Sequence, residues 1–141
     1  MANKNNATVY FYFTLEGSNL DFLLLNQHFL KYDCYSSPKG SIITKMHHGE
    51  AKRIERTLDF FQVKLYYSKI DMETFHRKAL EVISETIENS PSIIAIIREN
   101  LARIWCSVYP KYCMFGFEVT REMMRVLLEF DITLEYTITN P

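Results

Sequence analysis

The chain has 141 residues, of which 48% are hydrophobic and 14% aromatic, and its 16 Lys and Arg against 17 Asp and Glu give a formal net charge of -1. This length and apolar content suit one domain with its own core and exclude wholesale disorder. The charge lacks the basic excess that phosphate binding usually requires, so we do not expect direct nucleic-acid binding. No charged leader followed by an apolar run opens the chain, and no stretch of about 18 apolar residues occurs, which predicts a cytoplasmic protein without membrane contact.

The cysteines indicate a reducing environment. Cys34, Cys106 and Cys113 form an odd set without C-x-x-C spacing, whereas small disulfide scaffolds use even sets. We therefore predict reduced thiols that pack as small apolar side chains.

The first two predicted elements are a strand and a helix. Residues 7–17, ATVYFYFTLEG, are rich in β-branched and aromatic residues, and both sides are largely apolar, which predicts an interior strand that ends at Gly17. Ser18 or Asn19 is placed to cap a leucine-rich helix over about residues 20–30.

The middle of the chain gives weaker signals before a second confident strand. A turn is expected at 36–40, a short strand at 42–43, and a contact loop or a plain exposed hairpin in the charged run 45–56. Residues 57–67 alternate apolar and polar side chains, which predicts a strand with one solvated side.

Helices and strands alternate in the second half. Asp71 is placed to cap a helix that reaches about Glu88, and Ser90 and Pro91 to begin a short second helix. The remaining predictions are a strand at 103–109, a turn at 110–112, a strand at 113–119, a helix from Thr120 to Phe130 and a strand at 132–139. The whole chain, 1–141, is therefore predicted to be a single α+β domain with a flexible N-terminus at 1–6 and a largely antiparallel or mixed sheet with three to four helices packed mainly on one face.

The sequence shows no catalytic, cofactor-binding or metal-binding motif. It contains neither a G-x-S-x-G nucleophile turn nor a glycine-rich phosphate loop. His47 and His48 are adjacent, and adjacent side chains on a strand point to opposite faces, so they do not predict a metal site unless a loop bends them together. His28 and His76 lack a second ligand at helical zinc spacing. We therefore expect no enzyme, no cofactor and no metal.

Two clusters of polar residues are candidates for contact with a partner. Glu81, Glu85 and Glu88 recur on one face of the helix after Asp71, where like charges repel, which suits either plain solvation or docking of a basic partner. The other cluster lies in the charged run 45–56. Together the candidate partner-binding residues are His47, His48, Glu50, Glu81, Glu85 and Glu88.

The order of these signals resembles a bacterial family of domains of unknown function that includes immunity proteins of polymorphic toxin and contact-dependent inhibition systems. The resemblance lies in Glu16 and Gly17 after the opening strand, the leucine-rich helix, the SPKG turn at 37–40 and the ending FGFEVTREMMRVLLEFDITLEYTI. It implies a non-catalytic protein that binds and neutralises one cognate secreted toxin domain in the cytoplasm. It transfers no specific contact residues.

Two other classes of function stay open. One is a small enzyme with dispersed acid and base groups, which predicts a pocket where Glu118, Asp131 or His47 converge. The other is a ligand-sensing module that forms a homodimer through a sheet edge. This function predicts a dry pocket lined by Tyr10, Tyr12 or Trp105.

Overall fold

A computed structural model describes residues 7–85, 89–111 and 119–139, and this part of the chain contains seven strands and four helices. The elements are β1 (Ala7–Gly17), α1 (Phe22–His28), β2 (Asp33–Ser37), β3 (Ile42–His47), β4 (Glu50–Glu55), β5 (Asp59–Ile70), α2 (Met72–Ile83), α3 (Pro91–Glu99), β6 (Leu101–Pro110), α4 (Arg121–Glu129) and β7 (Ile132–Ile138). The N-terminus predicted to be flexible, Glu88, Cys113 and nearly all of the strand predicted at 113–119 lie outside the described residues.

β1 lies in the middle of a five-stranded sheet with the order β2-β5-β1-β6-β7. β5 pairs with β2 and with β1, and β1 pairs with β6, all antiparallel. β7 pairs with β6 in parallel. The sheet is therefore mixed, and the predicted α+β class is confirmed. With the β3–β4 hairpin left aside, the arrangement of β1, α1, β2, β5, α2–α3 and β6 is the ferredoxin-like split βαβ order, which α4 and β7 extend by one strand.

β1 has one fully buried side and one half-buried side, because successive side chains of a strand point to opposite faces. Val9, Phe11, Phe13 and Leu15 on the buried side are at most 4% exposed. Both flanks of β1 are paired, with β5 on one side and β6 on the other. The interior position predicted from its apolar residues is confirmed.

The helices bury their apolar side chains against one side of the sheet. Phe29, which ends α1, lies 5.9 Å from Phe61 between ring centroids, and Phe75 of α2 lies 6.0 Å from Phe11. The same core cluster takes further residues from the last two helices, namely Ile93, Ile97, Met123 and Val126. The predicted placement of the helices mainly on one face is confirmed for the described residues.

Side-chain oxygen atoms cap the starts of the helices, as expected where backbone N–H groups lack partners. Asp71, the predicted cap of α2, and Ser90 and Thr120, which precede α3 and α4, accept hydrogen bonds from N–H groups three residues on at 2.8, 3.4 and 3.2 Å. The prediction for α1 is wrong. Asp21, rather than Ser18 or Asn19, accepts the hydrogen bond from the N–H of Leu24 at 3.0 Å, because the helix begins later than expected.

Two strand regions differ from the prediction. β2, with the sequence DCYSS, was not expected to be a strand, because it is short and mostly polar; it pairs only along one edge, with β5. The charged run 45–56 lies in a complete hairpin of β3 and β4. The short strand expected at 42–43 extends to His47.

Asp59 joins two connecting segments to the start of β5. Its carboxylate accepts hydrogen bonds from the backbone N–H of Lys39 at 2.7 Å and from that of Leu20 at 3.0 Å. These hydrogen bonds favour the charged form and lower the pKa of Asp59 below its ordinary value of 3.8. The carboxylate therefore holds the approach to α1 and the base of the hairpin together.

We expect Asp59→Asn to lower the free energy of unfolding by about 1 kcal/mol at pH 7, the usual scale for a partly exposed carboxylate bonded to backbone N–H groups. A pKa lowered by folding means that the stabilisation is complete above the ordinary pKa of 3.8 and is lost as the pH falls through the lower folded-state pKa. Urea unfolding at pH 7 and at pH 2.5 measures this difference, with the exposed Asp33→Asn as control. If the difference in the free energy of unfolding between wild type and Asp59→Asn is as large at pH 2.5 as at pH 7, the charged carboxylate of Asp59 is not its cause.

Candidate functional site

The side of the sheet turned away from the helices carries a cluster of large aromatic side chains. They come from the central strand β1 and its two neighbours, at positions that alternate with the core residues. We call this cluster the aromatic face, and it consists of Tyr10, Tyr12, Tyr66, Trp105 and Tyr109. Sequence reasoning named Tyr10, Tyr12 and Trp105 only as lining of a pocket and missed the other two.

Strand register brings these rings together. Tyr12 is paired directly with Trp105, and their rings stack with centroids 5.1 Å apart at an angle of 27°. Tyr10 is paired with Tyr66 at 5.0 Å and meets Tyr109 edge-on at 5.9 Å. Tyr12 and Trp105 therefore cover part of each other's ring faces.

Polar contacts fix the orientation of the rings. The indole Nε1 of Trp105 donates a hydrogen bond to Oγ1 of Thr137 on β7 at 3.1 Å. The ammonium group of Lys64 lies 5.1 Å from the ring centroid of Tyr10, a cation–π distance. The aromatic face is therefore preorganised, so less conformational entropy is lost when a partner binds.

The aromatic face is exposed to solvent despite its size. Tyr66 is 55% exposed, Tyr109 44% and Trp105 40%. Large exposed apolar patches on a folded protein mark interaction sites, and Tyr and Trp are enriched among the residues that dominate the binding energy of protein interfaces. The aromatic face thus has the composition of an interface centre.

An open groove of about 450 Å³ runs beside one end of the aromatic face and is lined by Tyr10, Lys31, Tyr32, Asp33, Lys64, Leu65 and Tyr66. The ligand-sensing hypothesis predicted a dry pocket lined by Tyr10, Tyr12 or Trp105. The structure brings these three residues together, but on an open surface, and only Tyr10 borders the groove.

The hairpin of β3 and β4 holds the first candidate cluster of the sequence. His48 and Gly49 form its turn with φ angles of 49° and 80°, as in the common two-residue hairpin turn. This turn brings the rings of His47 and His48 to 4.2 Å between centroids, so the two side chains do not separate as neighbours within a strand would. Glu50 is paired with His47 across the hairpin. Among the described residues, no group of three or more His, Cys, Asp or Glu side chains is placed to hold a metal ion.

The second candidate cluster is not brought to the same place. Glu81 is exposed on α2 in the helical layer, and Glu85 is exposed just past the end of that helix. Glu88 lies outside the described residues. The acidic pair therefore belongs to a different element from the histidines of the hairpin.

Of the three residues named for an enzyme pocket, the two that the structure describes lie on different elements. His47 lies at the exposed tip of the hairpin, and Asp131 lies exposed in the turn between α4 and β7 with φ 53°. Glu118 is outside the described residues. Within the described part of the chain, no hydrogen bond or ion pair joins His47 to Asp131.

The two described cysteines are placed as packing residues. Cys106 is fully buried on β6, and burial raises its pKa to about 12, so the thiol stays protonated at neutral pH. Burial also raises the pKa of Cys34, whose thiol donates to the carbonyl oxygen of Phe29 at 3.2 Å. Neither thiol has the thiolate character that a nucleophile needs.

Comparisons with protein families, with curated proteins and with solved structures find no match to this chain. No helix in the described ranges is long and apolar enough to cross a membrane.

Proposed function

We propose that this protein is a non-catalytic, immunity-type binding protein that neutralises a cognate secreted bacterial toxin domain in the cytoplasm and uses the aromatic face as its contact surface. The observation that carries the proposal is the exposed cluster of Tyr and Trp side chains on the side of the sheet turned away from the helices. The resemblance of the chain to a family with immunity proteins supports the choice of partner.

The geometry of the rings favours a protein partner over single-stranded nucleic acid. Bases bind by stacking on open ring faces. Here Tyr12 and Trp105 stack on each other, and Lys64 lies above Tyr10. The apolar rings and the tyrosine hydroxyl groups suit the mixed apolar and hydrogen-bonded contacts of a protein interface. The net charge of -1 favours the same choice.

Binding alone is sufficient for the proposed activity. A standard protein interface buries about 800 Å² on each partner, which is enough to cover the mouth of a toxin's active site. Such an inhibitor needs shape and rigidity rather than reactive groups. The paired strands and the stacked rings of the aromatic face provide that rigidity.

The direct test is association with a toxin domain encoded beside this protein's gene. We expect a 1:1 complex with Kd in about the nanomolar range, measured by isothermal titration calorimetry, and loss of the toxin's activity at equimolar ratio. No detectable heat of binding at roughly 10 μM of both proteins, a concentration well above the expected Kd, contradicts the pairing with this toxin domain.

A ligand-sensing homodimer is the second candidate, and the groove beside Tyr10 is the observation that favours it. Its tyrosines, its two lysines and Asp33 suit a small aromatic ligand that carries both a negative and a positive group. Sedimentation of the protein alone separates the two functions, since the second candidate requires a dimer without any toxin present.

A further inference from the structure

The β3–β4 hairpin extends away from the core of the protein. Every residue of its two strands is exposed except Ile43, which is half-buried, and the strands form a sheet of their own. Backbone hydrogen bonds of 2.8 Å, from Gly40 N–H to Arg56 and from Arg56 N–H to Ser41, close its base. The hairpin is therefore an arm that is fixed at its base.

The arm is basic although the protein is not. Residues 41–56 contain Lys45, Lys52, Arg53 and Arg56 against Glu50 and Glu55, which gives 4 - 2 = +2. The whole chain carries -1, so the remaining residues carry -3. The positive charge of the arm thus stands out against an acidic body.

Two of these charges face each other. Lys45 is paired directly with Lys52, and like charges at directly opposite positions destabilise a strand pair. Within the described residues, neither these two lysines nor Arg53 forms an ion pair. A carboxylate placed between the lysines relieves this repulsion.

The arm also exposes apolar side chains. Ile54 is 41% exposed and lies on the same face as Lys45 and Lys52, because side chains alternate along the paired strands. Ile42 and Met46, 61% and 71% exposed, lie on the other face with Arg53. Cations beside uncovered apolar groups suit a surface that combines carboxylates with apolar contacts. They are less suited to the uniformly charged backbone of nucleic acid, which the acidic body would repel.

We infer that the β3–β4 hairpin is a second contact surface, which binds an acidic, partly apolar patch of the partner protein while the aromatic face forms the main contact. The inference rests on the proposed function in that the partner is a toxin domain. The new element is that the toxin domain presents an acidic surface to the hairpin.

The test uses charge reversal at the cross-strand pair in the full chain. We expect Lys45→Glu and Lys52→Glu each to slow association with the neighbour-encoded toxin domain by about threefold at 50 mM NaCl, and the double variant by about tenfold, because rim charges act mainly on the association rate. Stopped-flow fluorescence measures the rates, and the effect should shrink at 500 mM NaCl. Each single variant turns a like pair into an opposite pair, so the hairpin stays formed. Arg121→Glu, on the exposed first turn of α4, is the matched control.

The outcomes separate this inference from the proposed function. If the toxin domain binds but the hairpin variants associate no more slowly than Arg121→Glu, the inference is overturned while the function stands. If no toxin domain binds, the function fails, and poly-L-glutamate and a single-stranded oligonucleotide then test the arm at 20 mM NaCl. Binding of poly-L-glutamate that the double variant loses supports an acid-binding arm. Tighter binding of the oligonucleotide, or binding of neither polymer, overturns it.

Discussion

Trp105→Ala is expected to weaken the complex with the toxin domain by at least about 30-fold, which corresponds to the 2 kcal/mol or more of an interface hot spot. Trp105 is the largest side chain of the aromatic face and is 40% exposed, so much of its surface is available to a partner. Its removal also takes away the ring that stacks on Tyr12. Isothermal titration calorimetry of wild type and variant against the toxin domain measures the change in Kd.

Two controls accompany the measurement of Kd for Trp105→Ala. Leu128→Ala, at a residue that is 83% exposed on α4 in the helical layer, should leave Kd within about twofold, because surface changes outside an interface cost little. Urea unfolding of Trp105→Ala must show that the variant is fully folded at the assay temperature. A folded Trp105→Ala protein that binds as tightly as wild type contradicts the aromatic face as the contact surface.

Phe75→Ala is expected to lower the free energy of unfolding by about 3 to 5 kcal/mol, the usual cost of removing a buried aromatic ring and leaving a cavity. Phe75 is completely buried, and its ring contacts Phe11 of β1 and Tyr67 of β5 at 6.0 and 5.6 Å between centroids. It therefore links α2 to two strands of the sheet. Since small domains are stable by only about 5 to 15 kcal/mol, this one change removes a large share of the total.

Urea or guanidinium unfolding followed by circular dichroism measures this loss. Phe75→Leu, which keeps much of the buried volume, should cost clearly less than Phe75→Ala if cavity formation is the cause. Leu128→Ala, from which almost nothing buried is lost, should stay within about 0.5 kcal/mol of wild type. A cost below about 1.5 kcal/mol for Phe75→Ala contradicts the central position of this ring in the core.

Much of the fold could be predicted from the sequence, because long apolar patterns and helix caps are local signals. β1 is rich in β-branched and aromatic residues on both sides, and β7 alternates apolar and polar side chains. Asp71, Ser90 and Thr120 are each followed by helical spacing. Such elements carry their own evidence of burial. The sheet is mixed because β6 and β7 pair in parallel while the other described pairs are antiparallel. This feature depends on tertiary packing and could be expected only as one of two alternatives.

The errors lie where local signals are shared by competing structures. β2 has few apolar residues, and only its pairing with β5 makes it a strand. For α1, Ser18, Asn19 and Asp21 all have side chains that can cap a helix, and the cap is Asp21 because the helix starts at Phe22. Propensity does not distinguish these options.

The candidate surface was only partly visible in the sequence. The alternation of Tyr10 and Tyr12 with core residues places them on one side of β1, but an alternating strand can equally be covered there by a second layer. Tyr66 and Trp105 become their neighbours only through the pairing of β1 with β5 and β6. The hairpin charges were noted in the sequence, whereas the direct opposition of Lys45 and Lys52 requires the register.

The parallel pairing of β6 with β7 also bears on how the chain is made. β6 carries completely buried residues such as Ile104 and Val108, and one of its two edges is covered by β7, which is synthesised after it. Until residues 132–138 have left the ribosome, the nascent chain holds an apolar strand with an unpaired edge, which can template pairing with another chain. Ribosome stalling after β6 therefore yields an aggregation-prone fragment rather than a shorter working protein.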